Sequence, residues 1–187
     1  PHLMCCIDTV PVCREGKTLE DYFAALGQRI VHIHLNDGTP TGHLTWGDGN
    51  QPLREHLDTL ERWDYAGAIT LELGAGRYYQ QPEEHLERGL RVLETAFGQK
   101  LARRPSAKAI ERGDFMMGLH RSQISIGNYA HPLYSFDRFL ACAERLQIQN
   151  LELWGAGPHF YFYDYTDERA KEFYRKIADK GMKVICI

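Results

Sequence analysis

The sequence predicts an α/β fold: a partial or permuted (β/α) barrel of parallel strands with helices outside. Three observations carry this. Short β-branched or apolar runs alternate with amphipathic helical patterns along the whole chain, and that alternation favours a parallel sheet. Long polar loops follow the strand-like runs. No Gly-x-Gly-x-x-Gly opens any helix, which argues against a dinucleotide-binding sheet.

In chain order, His2–Asp8 (HLMCCID) reads as a strand ending on Asp8, followed by a loop, TVPVCREGK. Thr18-Leu-Glu-Asp21 has the form of a capping box and starts a short helix that ends at Gly27. Ile30–Gly38 (IVHIHLNDG) is a strand finishing in His-x-His before a long Gly-, His- and Trp-bearing loop, NDGTPTGHLTWGDGN. Loops of this length are commonly functional. Pro52 suits the first turn of a helix whose Leu53, Leu57, Leu60 and Trp63 recur at helical spacing. Ala68–Leu73 (AITLEL) is the third strand and carries Glu72 at its end. A polar loop through Gly74–Gln81 and an amphipathic helix ending near Gly98 complete the first part.

Gln99–Asp114 is basic, polar and interrupted by Pro105, the pattern of a linker. The βα pattern then restarts: Phe115–Leu119 (FMMGL) as a strand, HRSQISIGNYAHPLY as a loop, and a helix capped by Ser135. Asn150–Trp154 (NLELW) is the next strand, GAGPHFYFYDY its loop, Thr166 the start of another helix and KVICI a further strand. The expected organisation is residues 1–98, a linker at 99–114, and residues 115–187. Both ends fall inside strand-like runs, which favours a fragment spanning the join of two tandem barrels over a permuted, shortened barrel.

Composition bounds the function. With a net charge of -3 and dispersed Lys and Arg, there is no basic face for nucleic acid. No apolar run reaches the roughly 18 residues of a membrane span. The first residues lack the form of a secretory signal. Five cysteines without Cys-x-x-Cys spacing read as buried, reduced thiols in a cytoplasmic setting.

Parallel neighbours would bring the three strand ends, Asp8, His34 and Glu72, to one rim, and two carboxylates with an imidazole make a divalent-metal site. Taken singly, each has an ordinary structural reading as a loop cap or a hydrogen-bonded histidine. His32 is assigned to the opposite face of its strand from His34, with a structural role. Asp37 and His43 in the long loop, Arg77, Trp154 and His159 are candidate substrate contacts. Asp48 and Gly49 read as a turn, and FYFYDY as an aromatic lid or subunit contact.

The run from HLMCCIDTVPV through VHIHLNDGTPTGHLTWGDGNQPLREHLDTLERWDYAGAITLEL resembles the C-terminal half of xylose-isomerase-like TIM-barrel sugar isomerases and epimerases. The likeness is strongest to fructoselysine 3-epimerase and the tagatose/psicose 3-epimerases. It rests on the order Asp, His-x-His, a Gly-x-Gly-x-x-Pro-Leu turn and a strand ending Leu-Glu-Leu. The second part, FMMGLHRSQIS through NLELWGAGPHF to KVICI, resembles the N-terminal end of the same barrels, so strands six to eight precede strands one to three.

The resemblance implies a Glu, Asp, His, Glu metal set, of which Asp8, His34 and Glu72 match the last three. The remaining Glu, one of two catalytic bases, belongs to a strand outside this sequence, and Glu72 would be the other base. It further implies a small-molecule sugar substrate, a proton removed and returned through an enediolate, and a divalent cation, manganese first, with magnesium or cobalt as alternatives. A homo-oligomer is possible. Where related ketose epimerases carry a substrate-binding His three residues after the metal Asp, this chain has Pro11, which leans toward the fructoselysine-like branch. Glu152 is given a supporting role. Two other readings stand beside this one: an incomplete, non-catalytic barrel that binds a ligand or partner, and an endonuclease-IV-like metal-dependent hydrolase, which would want more His and carboxylate ligands and a basic face.

Overall fold

The computed structural model describes residues 3–39, 41–102, 119–155 and 157–187. Among the described residues, six strands form one sheet in the order β1 to β6, with every neighbouring pair parallel. They are β1 (Cys5–Asp8), β2 (Ile30–His34), β3 (Ala68–Leu71), β4 (Ile124–Gly127), β5 (Asn150–Glu152) and β6 (Lys183–Cys186). Helices α1 (Thr9–Arg14), α2 (Leu19–Leu26), α3 (Leu53–Arg62), α4 (Ala75–Tyr78), α5 (Pro82–Ala102), α6 (Phe136–Arg145) and α7 (Asp167–Ala178) fill the connections. This is a partial (β/α) barrel.

Local signals set most boundaries. Thr18 and Asp21 close the expected capping box at α2: the Asp21 N–H donates to Thr18 Oγ1 at 3.2 Å, and the Thr18 N–H donates to Asp21 Oδ2 at 2.8 Å. Gly27 ends that helix at φ +53, where a side chain would be strained. Ser135 and Thr166 cap α6 and α7, their hydroxyls accepting from the Arg138 and Arg169 N–H groups.

Four local expectations are corrected. The segment after Asp8 is helix α1, not a loop, because the Asp8 carboxylate accepts from the Val10 N–H at 2.9 Å and nucleates a turn. A short helix, α4, interrupts the polar stretch after Gly74. Helix α5 continues past Gly98 to Ala102, into the expected linker, whose remainder lies outside the described residues. The strand expected at FMMGL lies almost wholly outside the described residues, and the stretch after it, read as loop, contains strand β4, Ile124–Gly127.

Alternation gives the sheet two unlike faces. Ile7, Ile33, Ile69, Leu71, Ile126 and Leu151 are buried among residues of the helices such as Phe23, Leu57, Leu60, Leu93, Phe139 and Leu140. The other face carries Cys6, Asp8, His32, His34, Thr70, Ser125 and Glu152. Register places Asp8, His34, Thr70 and Ser125 in one row, with Gly127 paired to Glu152 further along.

The sheet is strongly curled. Adjacent strands sit about 4.8 Å apart, so in a flat sheet β2 and β5, three places apart, would stand about 14 Å apart. Yet His34 on β2 and Glu152 on β5 are in hydrogen-bond contact at 3.0 Å. The polar face is therefore the concave one, and the apolar face carries the helices.

Candidate active site

Strand ends and two loops build the site at the carboxyl end of the sheet. Asp8 closes β1 and is paired in register with His34 at the end of β2. The turn after β2 is pinned from both sides. Thr9 Oγ1 accepts from the Asn36 N–H at 3.1 Å, and the Trp46 indole donates to the Leu35 carbonyl at 3.0 Å. Buried Asn36 in turn accepts from the Glu72 N–H at 2.9 Å, which fixes the backbone from which that carboxylate projects.

Asp37 shapes the long loop. Its buried carboxylate accepts from the N–H groups of Gly38, Gly47, Gly49 and Gln51 at 2.8–3.0 Å. Gly49 passes so close that an added Cβ would lie 2.6 Å from the Gly38 nitrogen, so the turn there requires glycine. The folded loop carries His43 over the rim, where the Gly74 N–H holds the His43 carbonyl at 2.7 Å.

The result is a connected set of carboxylates and imidazoles. His43 Nε2 is 2.6 Å from Asp8 Oδ2 and 3.5 Å from Glu72 Oε2. His34 Nδ1 is 2.9 Å from Glu72 Oε2, while its Nε2 is 3.0 Å from Glu152 Oε1. His32 Nε2 lies 2.6 Å from Thr70 Oγ1 and 3.3 Å from Glu152 Oε2. Asp8, His43 and Glu72 each offer a ligand atom, all within 4.8 Å of one another.

Proton affinities follow these contacts. The Asp8 hydrogen bond raises the His43 imidazole above its ordinary value. Burial works against a charged His34, but contacts with Cys6, Glu152 and Glu72 override it and hold the ring protonated far above the usual range. His32 is raised in the same way by Cys6 and Glu152. Burial would raise the Glu152 carboxyl, yet the two imidazoles reverse this and push it well below the carboxylate range. The Cys6 thiol, also opposed by burial, is brought down to about 7 by the same rings.

The structure brings Asp8 and Glu72 together and sets His34 against Glu72. The imidazole that touches both carboxylates is His43, which the sequence had assigned to substrate. His32 does not lie on the opposite face from His34. The two rings are 5.0 Å apart and share Glu152, because alternation has a period of two and residues i and i+2 point the same way. Glu152 itself joins the cluster from 118 residues away.

The other substrate candidates have partners elsewhere. Asp37 is consumed in holding its loop. Arg77 is exposed and lies over the Tyr78 ring at 5.9 Å. Trp154 is half exposed against Tyr129, with its backbone N–H donating to Asn128 Oδ1. His159 Nδ1 is 3.0 Å from the Asn128 amide nitrogen, and its Nε2 is 2.7 Å from the Tyr134 carbonyl. Asp48 does more than make a turn: it pairs with Arg88 at 2.7 Å and accepts from the Tyr78 hydroxyl at 2.7 Å.

The family profile described as xylose isomerase-like TIM barrel matches residues 1–96. Fructoselysine 3-epimerase of Escherichia coli O157:H7 and that of Shigella flexneri are each 28% identical to this chain over 92 residues, 48% of the chain and 33% of the relative. The chain thus spans about a third of the length of the curated relatives it matches. No solved structure matches it. Among the described residues, no helix is long and apolar enough to cross a membrane. With half of its length matched, through the three strands that lead to Asp8, His34 and Glu72, the chain belongs to the xylose isomerase-like TIM-barrel family.

Proposed function

We propose that the rim formed by Asp8, Glu72, His43 and His34 is a divalent-cation site, and that the protein is a metal-dependent epimerase or isomerase of a ketose or sugar derivative. The observation that carries this reading is the convergence of two carboxylates and an imidazole within 4.8 Å, from two strand ends and a loop. Oxygen and imidazole donors in that number suit manganese, magnesium or cobalt. A cation bound there would polarise the carbonyl and neighbouring hydroxyl of a sugar and so acidify the adjacent carbon-bound proton.

Glu72 is the base in this reading. Its backbone is fixed through Asn36, and its carboxylate stands between His34 and His43. Proton removal and return on one face supports isomerisation or exchange, whereas epimerisation needs a second carboxylate opposite. The relatives named fructoselysine 3-epimerase suggest a sugar derivative as substrate. A second reading, an incomplete barrel that binds without turnover, is favoured by one observation: Glu152, the other carboxylate on the concave face near His34, is tied to both His32 and His34.

Deuterium incorporation at carbon three of fructose and of fructoselysine, in heavy water with saturating manganese, separates the two readings. Exchange by the native chain, reduced about 10²- to 10⁴-fold in Glu72→Gln, is the expected result, with bound manganese lost in Asp8→Asn. No exchange by the native chain, or undiminished manganese in Asp8→Asn, would overturn the epimerase reading and the ligand assignment respectively.

A further inference from the structure

Two fully buried polar side chains, Thr9 and Asn36, stand close in sequence to the rim donors without being donors themselves. We propose that they are positioning residues, a polar bracket that sets the spacing of the three strand ends leading to Asp8, His34 and Glu72. The role rests on the cation-site reading above, because donors held at a fixed spacing are what the bracket would serve.

Their contacts reach all three ends. Thr9 directly follows Asp8, and its Oγ1 lies 3.2 Å from the His34 carbonyl oxygen and 3.1 Å from that of Asn36, while accepting from the Asn36 N–H at 3.1 Å. The first residue of α1 thus grips the end of β2. Asn36 passes the link on, since its Oδ1 accepts from the Glu72 N–H at 2.9 Å. β1 and β3 are not neighbours, because β2 runs between them. Thr9 and Asn36 join their ends across it.

The sheet ladder shows what the bracket replaces. His34 pairs with Thr70, and the Leu35 N–H donates to the Thr70 carbonyl at 3.0 Å. The next bond of an evenly spaced parallel ladder would run from the Glu72 N–H to the Leu35 carbonyl. That carbonyl accepts instead from the Trp46 indole at 3.0 Å, and the Glu72 N–H turns to the Asn36 side chain. Glu72 leaves the line of the ladder with its N–H still bonded, at the point where its carboxylate meets His34 and His43.

Asn36 also carries a cost that packing does not explain. Its Nδ2 is buried with no hydrogen-bond partner among the described residues, and a buried donor in that state is expensive. A leucine here would remove the donor. What it would lose is the acceptor for Glu72, so placing Glu72 accounts for the amide.

The test uses the full chain, first free of metal and labelled at histidine for NMR. Thr9→Val and Asn36→Leu should each shift the ring signals of His34 and His43 and leave those of His56 and His131 in place, while Thr9→Ser, which keeps the hydroxyl, stays native. With manganese added, Thr9→Val and Asn36→Leu should each lose about 10- to 100-fold in ion affinity, as when outer partners of a metal site are removed. Carbon-three deuterium exchange at saturating ion and sugar should slow in step, with the sugar KM unchanged and Thr9→Ser again native. Ring signals unmoved in both variants, signals moved as far at His131 as at His34, or native ion affinity in both variants would overturn the bracket. Ring signals that move as expected, in a protein whose native chain neither binds manganese nor exchanges deuterium, would uphold the bracket and overturn the cation-site reading instead. Should a variant fail to fold, amide hydrogen exchange of the native chain serves. The Asn36 and Glu72 amides should exchange as slowly as the Leu35 amide of the ladder, and exchange at the rate of an open loop would overturn the bracket.

Discussion

His34 and His131 are both shielded imidazoles, and they sit in opposite proton states. His34 has a carboxylate at each ring nitrogen, Glu72 at 2.9 Å and Glu152 at 3.0 Å, and is held protonated. His131 is fully buried after β4 among Phe139 and Tyr134, with neither ring nitrogen hydrogen-bonded among the described residues. Burial pushes it down to about 4, because Glu83 at 3.8 Å is too far to compensate. His56, on the buried face of α3 with, among the described residues, a 3.9 Å contact to Cys13 Sγ, is likewise pushed down to about 4. Burial by itself therefore does not decide the charge of a histidine here. What decides it is whether an anion stands within hydrogen-bond reach of the ring.

The largest break in this comparison should come from replacing both rings by the same apolar side chain. In metal-free protein, His34→Leu leaves two shielded carboxylates without their cation, at a cost of about 3 kcal/mol. The loss should be greatest between the ordinary carboxyl value of 4.5 and the ordinary imidazole value of 6.5. The raised His34 contributes fully below 6.5 and fades as pH rises through its folded value. The depressed Glu152 contributes fully above 4.5 and fades as pH falls through its folded value. Urea unfolding at about pH 5.5 measures it, and a change under about 0.5 kcal/mol would mean that the carboxylates do not depend on the ring.

The same change at His131 should act with the opposite sign in acid. Between 6.5 and about 4 the unfolded chain binds a proton at this histidine that the folded chain refuses, so native stability falls as pH drops through that window. At about 1.4 kcal/mol per pH unit, one such group accounts for about 2 kcal/mol of loss between pH 7 and pH 5. His131→Leu should remove that share and flatten the acid limb by about 2 kcal/mol, read from unfolding at the two pH values. An unchanged slope would show that the ring is protonated in the folded state after all.

These contrasts bear on what the sequence could disclose. Elements with strong local signals were readable: the Thr18–Asp21 box, the Ser135 and Thr166 caps, the β-branched run IVHIH and the Leu53–Leu60 stripe all form what their residues favour. Asp8 was placed correctly at a strand end, but its second role, capping α1 through a Thr-Val-Pro run of poor helix formers, was not visible from propensity. β4 is four residues long with a serine and a glycine, too short to show a period against the polar residues around it. The pairing of Glu152 with His34 arises from sheet curvature, which no local window encodes. His43 reaches Asp8 only because Asp37 gathers four N–H groups beneath the loop. For His32 the signal is local: its position two residues from His34 on one strand fixes the shared face.

The smallest expected effect isolates what holds the third imidazole. His32 lies between an anion and a neutral acceptor: Glu152 Oε2 at 3.3 Å and Thr70 Oγ1 at 2.6 Å. If proximity to a carboxylate governs its charge, removing the hydroxyl should change stability without discharging the ring. Thr70 is fully buried, so Thr70→Val keeps the packing and deletes the hydrogen bonds to His32 and to Ser125. Because His32 retains Glu152, the cost should stay near 1 kcal/mol. Ser125→Ala loses the same Thr70–Ser125 bond from the other side, so in a double-mutant cycle the combined variant should cost less than the sum of the two. Ring titration followed by NMR should leave His32 raised in both variants. A ring that falls toward its ordinary value in Thr70→Val would show that the hydroxyl pair, and not Glu152, keeps the proton in place.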